Sequence, residues 1–434
     1  MATKNSYNVN KNTSYISPQK FFTLLGKNFP QNGSIPLTDG NWKVKDTPIS
    51  HPLFRILVMA WMLIHLSLLA PPLVLANETT LKIAAIFSLT GAAAGSNAPS
   101  VQGVRSAVRK LNEQGGVLGK KIQLVEIDNQ STPIGSSVAA EKAARLGAIA
   151  IIGCNWSSHS LAVAKVAQRE GIPMISNIST HPNVTRIGNY IFRVCFTDII
   201  QGKAMASFAR NTLKARTGVL FVDLNSNYGI VLSEQFKRYF EASGGSILSR
   251  LEYKDNSNLR HFQQLVDRVK KSKPDVVFIP GFVESGIIIR EMSRAGVTAI
   301  PLGGDGWEFN DFFKAGGSEL KQGYYCTHWT RQDSSAPTLE YLAHRQNKKD
   351  VWAAEVLAVD AVNLLAHAIR QAGTATDRSK IRQRLSQIQD FKGISGSISF
   401  DKNGDPIKDV VIIEIRNGSP LFHSRFNPDP NKGI

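Results

Sequence analysis

From residue 82 onward, short apolar runs of strand length alternate with longer stretches whose apolar positions recur every three or four residues. Lys82–Phe87 reads as a strand. In Pro99–Gln114, Val101, Val104, Val108 and Leu111 fall on one helical stripe, which Gly115-Gly116 ends. Strand Ile122–Ile127, helix Ile134–Leu146, strand Ala148–Gly153 and helix Ser158–Arg169 follow, and the short runs Ile172–Ser176 and Ile191–Phe196 close this half. The alternation then restarts with helix Ile199–Lys214, strand Gly218–Val222, helix Gly229–Ala242 and strand Ile247–Tyr253. Helix Leu259–Lys271, strand Asp275–Pro280, helix Ser285–Ala295 and strand Ile300–Leu302 complete the second unit. The tail adds helices near Trp352–Gln371 and Arg378–Gln389, then extended segments Ser395–Phe400 and Val410–Ile415 around an Asn403-Gly404-Asp405 turn. Apolar strands alternating with helices predict an α/β fold of two doubly wound parallel-sheet lobes of similar size. The two units share no sequence repeat strong enough to mark an internal duplication.

The first 80 residues break this pattern. Residues 1–50 are rich in Asn, Lys, Ser, Thr and Pro with no sustained apolar period, which predicts a disordered extension. Residues 51–76 carry the unbroken run Ile56–Ile64, preceded by Arg55, and end in Pro71-Pro72 and the small residues Val74 and Ala76. That layout predicts a secretory signal peptide. The alternative is a retained membrane anchor over residues 53–76, since about 20 apolar residues span a bilayer. Either reading puts the body of the protein outside the cytoplasm, in the periplasm.

Composition narrows the classes. Of 434 residues, 42% are hydrophobic and 20% charged, the balance of an ordinary globular protein. The net charge of +17 invites a nucleic-acid reading, but the charge is spread out. Residues 1–76 hold seven basic and two acidic residues, leaving 44 basic and 32 acidic in the rest. The densest cluster, Lys270, Lys271 and Lys273, falls at a helix end, where cations complement the dipole. No nucleic-acid partner is expected. Cys154, Cys195 and Cys326 have no metal-ligand spacing, and an odd count leaves at least one free thiol.

In open α/β sheets, ligands bind beyond the carboxyl ends of strands, where loops meet helix N-termini. Five loops answer to that rule. Gly153-Cys-Asn-Trp-Ser157-Ser158 opens a helix and offers hydroxyls and free N–H groups to a carboxylate, although Ser157 or Ser158 can equally serve as a helix cap. Ser176-Asn-Ile-Ser-Thr180 adds further donors. In the second unit, Asn225-Ser-Asn-Tyr228-Gly229, Gly281-Phe282-Val283-Glu284 and Gly303-Gly-Asp305-Gly-Trp307 hold equivalent places, the last setting a carboxylate among glycines. Donors in one lobe and an acid in the other suit a zwitterion. Enzyme signatures are lacking: there is no HExxH, CxxC, GxSxG, or GxGxxG after a strand, and Gly116-Val-Leu-Gly119-Lys120 lacks the spacing of a phosphate loop. The Asn-x-Ser/Thr triplets at Asn155 and Asn177 fall in the candidate loops and read as chance matches to a glycan acceptor.

With these residues in view, positions 81–420 resemble the periplasmic binding proteins of branched-chain amino acid ABC transporters, the leucine/isoleucine/valine-binding type. The landmarks run in order: Ser88-Leu-Thr-Gly91, Asn112-Glu-Gln-Gly-Gly116, Ile152-Gly-Cys-Asn-Trp-Ser-Ser158, Ile172-Pro-Met-Ile-Ser176, Ile191-Phe-Arg193, Tyr228-Gly229 and Gly303-Gly-Asp-Gly-Trp307. The resemblance implies a type 1 periplasmic binding fold with a three-crossover hinge, lobe 1 from 81–198 plus 326–406 and lobe 2 from 199–325 plus 407–426. It implies that Ser157 and Thr180, with N–H groups near Ser158 and Ile178, hold an α-carboxylate. Asp305 then holds the α-ammonium, and Tyr228 and Phe282 cover the ligand. Trp156 and Trp307 are added as pocket walls from the sequence itself. The family often places an aromatic residue after the first strand, where this chain has Ala94-Gly95-Ser96-Asn97, so a strictly aliphatic ligand is not a given.

The expected function is capture of an amino acid, branched-chain or other neutral, and delivery to an ABC permease in the inner membrane. The implied protein is a monomer with no catalysis, cofactor or metal. The alternative is a sensor of an amino acid, amide or urea acting through a separate signalling partner.

Overall fold

In the computed structural model, residues 80–254, 258–345 and 351–428 are described, together with Met59. The extension at 1–50 and the signal or anchor segment at 51–76 therefore lie outside the described residues, Met59 aside. No helix among the described residues is long and apolar enough to cross a membrane.

The first sheet contains β1 (Thr80–Phe87), β2 (Lys121–Asp128), β3 (Ala150–Ile152), β4 (Met174–Ser176) and β5 (Ile191–Arg193). All are parallel, in the order β2-β1-β3-β4-β5, with Ile83 of β1 opposite Leu124 on one side and Ala150 on the other. Its connections are α1 (Ala94–Glu113), α2 (Pro133–Arg145) and α3 (Ser157–Arg169). Thr132 caps α2 by accepting from the Gly135 N–H, with Pro133 at the first helical position. α1 begins earlier than the Pro99 start expected from the sequence, so Pro99 lies inside it and gives up one backbone donor.

The second sheet repeats the order. Strands β6 (Thr217–Asp223), β7 (Ser246–Tyr253), β8 (Val276–Phe278), β9 (Ile300–Gly303) and β10 (Gln322–Thr327) run parallel as β7-β6-β8-β9-β10. Two antiparallel strands, β13 (Val410–Arg416) and β14 (Ser419–Phe426), extend it beyond β10. Its helices are α4 (Asp198–Ser207), α5 (Asn227–Ala242), α6 (Leu259–Ser272), α7 (Val283–Arg294) and the short α8 (Asn310–Gly316). Ser226 and Asn258 cap α5 and α6. The chain passes between the sheets after β5, after β10 and before β13. Between the last two passages, α9 (Ala336–Ala343), α10 (Ala353–Ala372) and α11 (Arg378–Leu385) pack on the first lobe, followed by the small hairpin of β11 (Phe391–Gly393) and β12 (Gly396–Ile398).

Both faces of each sheet are covered, as parallel strands require. Val104, Val108 and Leu111 of α1 join Leu357, Val362 and Leu365 of α10 on one face of the first sheet. α2 and α3 cover the other with Ala140, Ala143, Val163 and Ala167. Gly103 lets α1 approach α10: a Cβ there would lie 2.3 Å from the Glu355 carbonyl oxygen. The Asn403-Gly404-Asp405 turn docks on β5, where the buried Arg193 guanidinium meets Asp405 at 2.6 Å. All three cysteines are buried free thiols.

Candidate ligand-binding cleft

The five loops all leave the carboxyl ends of strands, and the two sheets present those ends to one another. Between them lies a small cavity of about 30 Å³, lined from lobe 1 by Asn155, Trp156, Ser157, Ile178 and Thr180 and from lobe 2 by Tyr228, Phe282, Asp305, Gly306 and Phe309.

On the lobe 1 side, Trp156 is the N-cap residue of α3 and makes no side-chain cap bond. Ser157 is therefore not the cap that its position allowed. It is the first helical residue, and its hydroxyl accepts from the His181 N–H at 3.3 Å. The first N–H groups of α3, those of Ser157 and Ser158, have no carbonyl of their own helix to bond, which leaves that end attractive to an anion. Ser158 is half-buried on the same turn but does not line the cavity. Thr180 is buried, with its carbonyl accepting from the Asp198 N–H at 2.8 Å. Asn155 and Asn177 are also buried; the Asn177 amide donates to Ser100 Oγ and Asn155 Oδ1, so neither side chain is presented for glycan attachment.

Lobe 2 supplies the acid. Asp305 opens a 3₁₀ turn, Asp305–Trp307, directly after β9. Its N–H donates to Gln201 Oε1, one carboxylate oxygen lies 3.0 Å from His328 Nε2, and the other, Oδ1, is buried with no partner. The surrounding glycines provide closeness rather than flexibility. A Cβ on Gly304 would lie 2.4 Å from Tyr228 Oη, and one on Gly306 would lie 2.4 Å from the Gly281 carbonyl oxygen. Tyr228 Oη accepts from the Gly306 N–H at 3.1 Å. Burial, together with the nearby Asp305 and Asp198 charges, holds its phenol well above the usual range, so it keeps its proton.

Two further carboxyl groups crowd this end. Burial pushes Asp198 up to about 8; a hydroxyl bond from Thr180 opposes the rise and the Asp305 charge adds to it. Glu308 is likewise pushed up to about 8 by burial, against bonds from Thr327 and the Ala353 N–H. Asp305 Oδ1 thus gives the lobe 2 end a free acceptor, and the start of α3 gives the lobe 1 end donors. Such a cleft can hold a small molecule carrying one positive and one negative group.

Trp307, expected as a pocket wall, lies elsewhere. It is fully buried in the lobe 2 core, stacked on Phe312 at 4.8 Å with Nε1 donating to the Ile279 carbonyl. The tight turn sends Asp305 and Trp307 to opposite sides, and Gly303 makes room for the indole: a Cβ there would lie 2.2 Å from the ring. The aromatic walls are instead Trp156, stacked across the cleft on Phe282 at 5.3 Å, and Phe309. Together they enclose the cavity without an aromatic side chain after β1, where Asn97 is buried and bonded to Ser88 and Ala93. Sequence reasoning missed Phe309 and the supporting Asp198, Gln201 and His328. The strand-end rule reaches Asp198, just beyond β5, and reaches His328 once β10, which the apolar pattern did not reveal, is recognised as a strand.

Comparison with known proteins agrees with the fold. Residues 80–420 match the family described as "Periplasmic binding protein". The Leu/Ile/Val-binding protein BraC3 of Rhizobium johnstonii is 27% identical over 344 residues, covering 78% of this chain and 91% of that one. The leucine-, isoleucine-, valine-, threonine- and alanine-binding protein of Pseudomonas aeruginosa is 26% identical, covering 75% and 87%. The crystal structure of a leucine binding protein, LivK, from Thermotoga maritima superposes with a TM-score of 0.75 at 33% identity, covering 80% of this chain and 99% of that one. With its two like-ordered sheets, facing strand ends and a match over most of its length, the chain belongs to the periplasmic binding protein family.

Proposed function

We propose that this protein captures a neutral amino acid, branched-chain first among them, between its lobes in the periplasm and delivers it to an ABC permease. One observation carries the reading: the closed cleft buries an unpartnered acceptor and an unpartnered donor in facing lobes. Asp305 Oδ1 in lobe 2 and the Trp156 indole N–H in lobe 1 both lack a partner and both residues line the cavity. A buried polar group left unsatisfied costs about 1–3 kcal/mol, more for a charge, and a zwitterion bound between the lobes can relieve both ends. Ser157, Thr180, the Trp156 indole N–H and the start of α3 then hold the carboxylate, Asp305 holds the ammonium, and Tyr228, Phe282, Phe309 and the Trp156 ring enclose the side chain. The relatives' names, which specify leucine, isoleucine and valine, support that choice of ligand. The cleft's role is reversible binding, with closure desolvating both charges together.

A thermal-shift screen of the twenty amino acids with urea and short amides tests this. L-leucine, L-isoleucine or L-valine is expected to raise the melting temperature, because a ligand that binds only the native state stabilises it. Asp305→Asn should abolish that shift while leaving the melting temperature of the ligand-free protein within a few degrees. A screen in which no amino acid raises the melting temperature overturns the proposal.

A further inference from the structure

His328 is a buried base that the ligand scheme above does not use. It follows β10 directly, in the second passage between the lobes, and its side chain is shielded from solvent. Nε2 lies 3.0 Å from Asp305 Oδ2. The ring packs on Phe196, from the first passage, with 3.7 Å between centroids, and Nδ1 has no partner. A carboxylate only accepts, so this geometry requires the neutral ring to carry its proton on Nε2.

We propose that His328 is a positioning residue for the ligand's positive end. As the Nε2–H tautomer it engages Asp305 Oδ2 and leaves Oδ1 for the ligand; as an imidazolium it gives Asp305 a resident counter-charge that takes the ligand's place. This rests on the reading of Asp305 as the ammonium acceptor.

The neighbouring charges set the sign of the pH effect. Burial opposes a charge on the ring, the Asp305 carboxylate favours one, and Lys408 opposes it, leaving the imidazole below its ordinary range. Asp305 in turn faces Asp198 at the start of α4, Glu308 on its own turn, Tyr228 of α5 and the thiols Cys195 and Cys326. A bound ammonium beside Asp305 makes the imidazolium less favourable still, so the ring binds its proton more weakly when ligand is present. Affinity therefore falls as pH drops below the ordinary histidine range, by at most about tenfold per pH unit for a single linked proton. Changes nearer pH 8 belong to Asp198 and Glu308.

The test is calorimetric titration of the protein with L-leucine from about pH 5 to about pH 8, spanning the histidine range. His328→Gln keeps a neutral donor and cannot be protonated; it should bind as the parent does near pH 8 and lose the acid-side fall. His328→Leu removes the donor and should weaken binding about tenfold at the upper pH, the scale of one hydrogen bond to a charged group. Nitrogen-detected NMR of the imidazole in ligand-free protein gives a second readout. It should report the Nε2–H tautomer, with a ring signal that shifts in Asp305→Asn. An Nδ1–H tautomer, or a His328→Leu protein matching the parent in affinity and pH profile, overturns the inference. An Asp305→Asn protein that binds L-leucine normally sinks the ammonium reading instead, and this inference with it.

Discussion

At the scale of single residues, the local role of a side chain follows from which way its turn sends it. Asp305 and Trp307 are two positions apart, yet one turns a carboxylate oxygen without a partner into the cleft and the other is a core indole with its N–H satisfied inside lobe 2. Trp307→Ala should therefore cost about 3–5 kcal/mol in urea unfolding, the range for emptying a large aromatic site in a core. A loss below about 1 kcal/mol would place the ring outside the core. The buried acids make a second prediction. Asp198 and Glu308 have native pKa values raised to about 8, so the native state holds protons that the unfolded chain has already released. Stability of the ligand-free protein should fall as pH rises from the ordinary carboxylate range towards 8, by up to about 1.4 kcal/mol per pH unit for each group. Asp198→Asn should flatten that slope in denaturation curves collected across the interval. An unchanged slope would mean that Asp198 is ionised throughout.

At the scale of elements, the strand–helix alternation was legible because buried parallel strands read as short apolar runs and their helices as amphipathic stripes. The elements overlooked were those without such a stripe. β10 reads Gln322-Gly-Tyr-Tyr-Cys-Thr327, and its partner β13 is read as extended but not assigned to a sheet; pairing with β10 and β14 places it. α8 is too short for a period to show. Packing between elements was equally hidden. Gly103 resembles any helical glycine in sequence, but in the fold it marks where α1 meets the α10 backbone. Gly103→Ala should push the two helices apart and destabilise the protein by about 1–3 kcal/mol despite the better helix propensity of alanine, the usual cost of overpacking. A stabilised variant in thermal melts would show that the helices have slack.

At the scale of the whole molecule, two lobes with the same strand order meet at their strand ends, and ligand capture becomes a question of closure. The Trp156–Phe282 stack joins the lobes across the cavity. If L-leucine closes the cleft, small-angle scattering should show a smaller radius of gyration on its addition. Phe282→Ala should weaken binding by about 0.5–1.5 kcal/mol beyond the area lost, the worth of an aromatic pair. A radius unchanged by a ligand that demonstrably binds would argue for a preformed site.

The sequence alone determined the α/β class, the two-unit order and most of the strand-end loops, because burial on both sheet faces leaves a mark on every strand and helix. It also singled out Ser157, Thr180, Tyr228, Phe282 and Asp305, all of which line one cavity. Only the tertiary structure decided which atoms are left without partners, which tryptophan faces the cleft, and that a histidine 23 residues from Asp305 reaches its carboxylate. Those outcomes depend on contacts between segments far apart in the chain, and no local period or propensity encodes them.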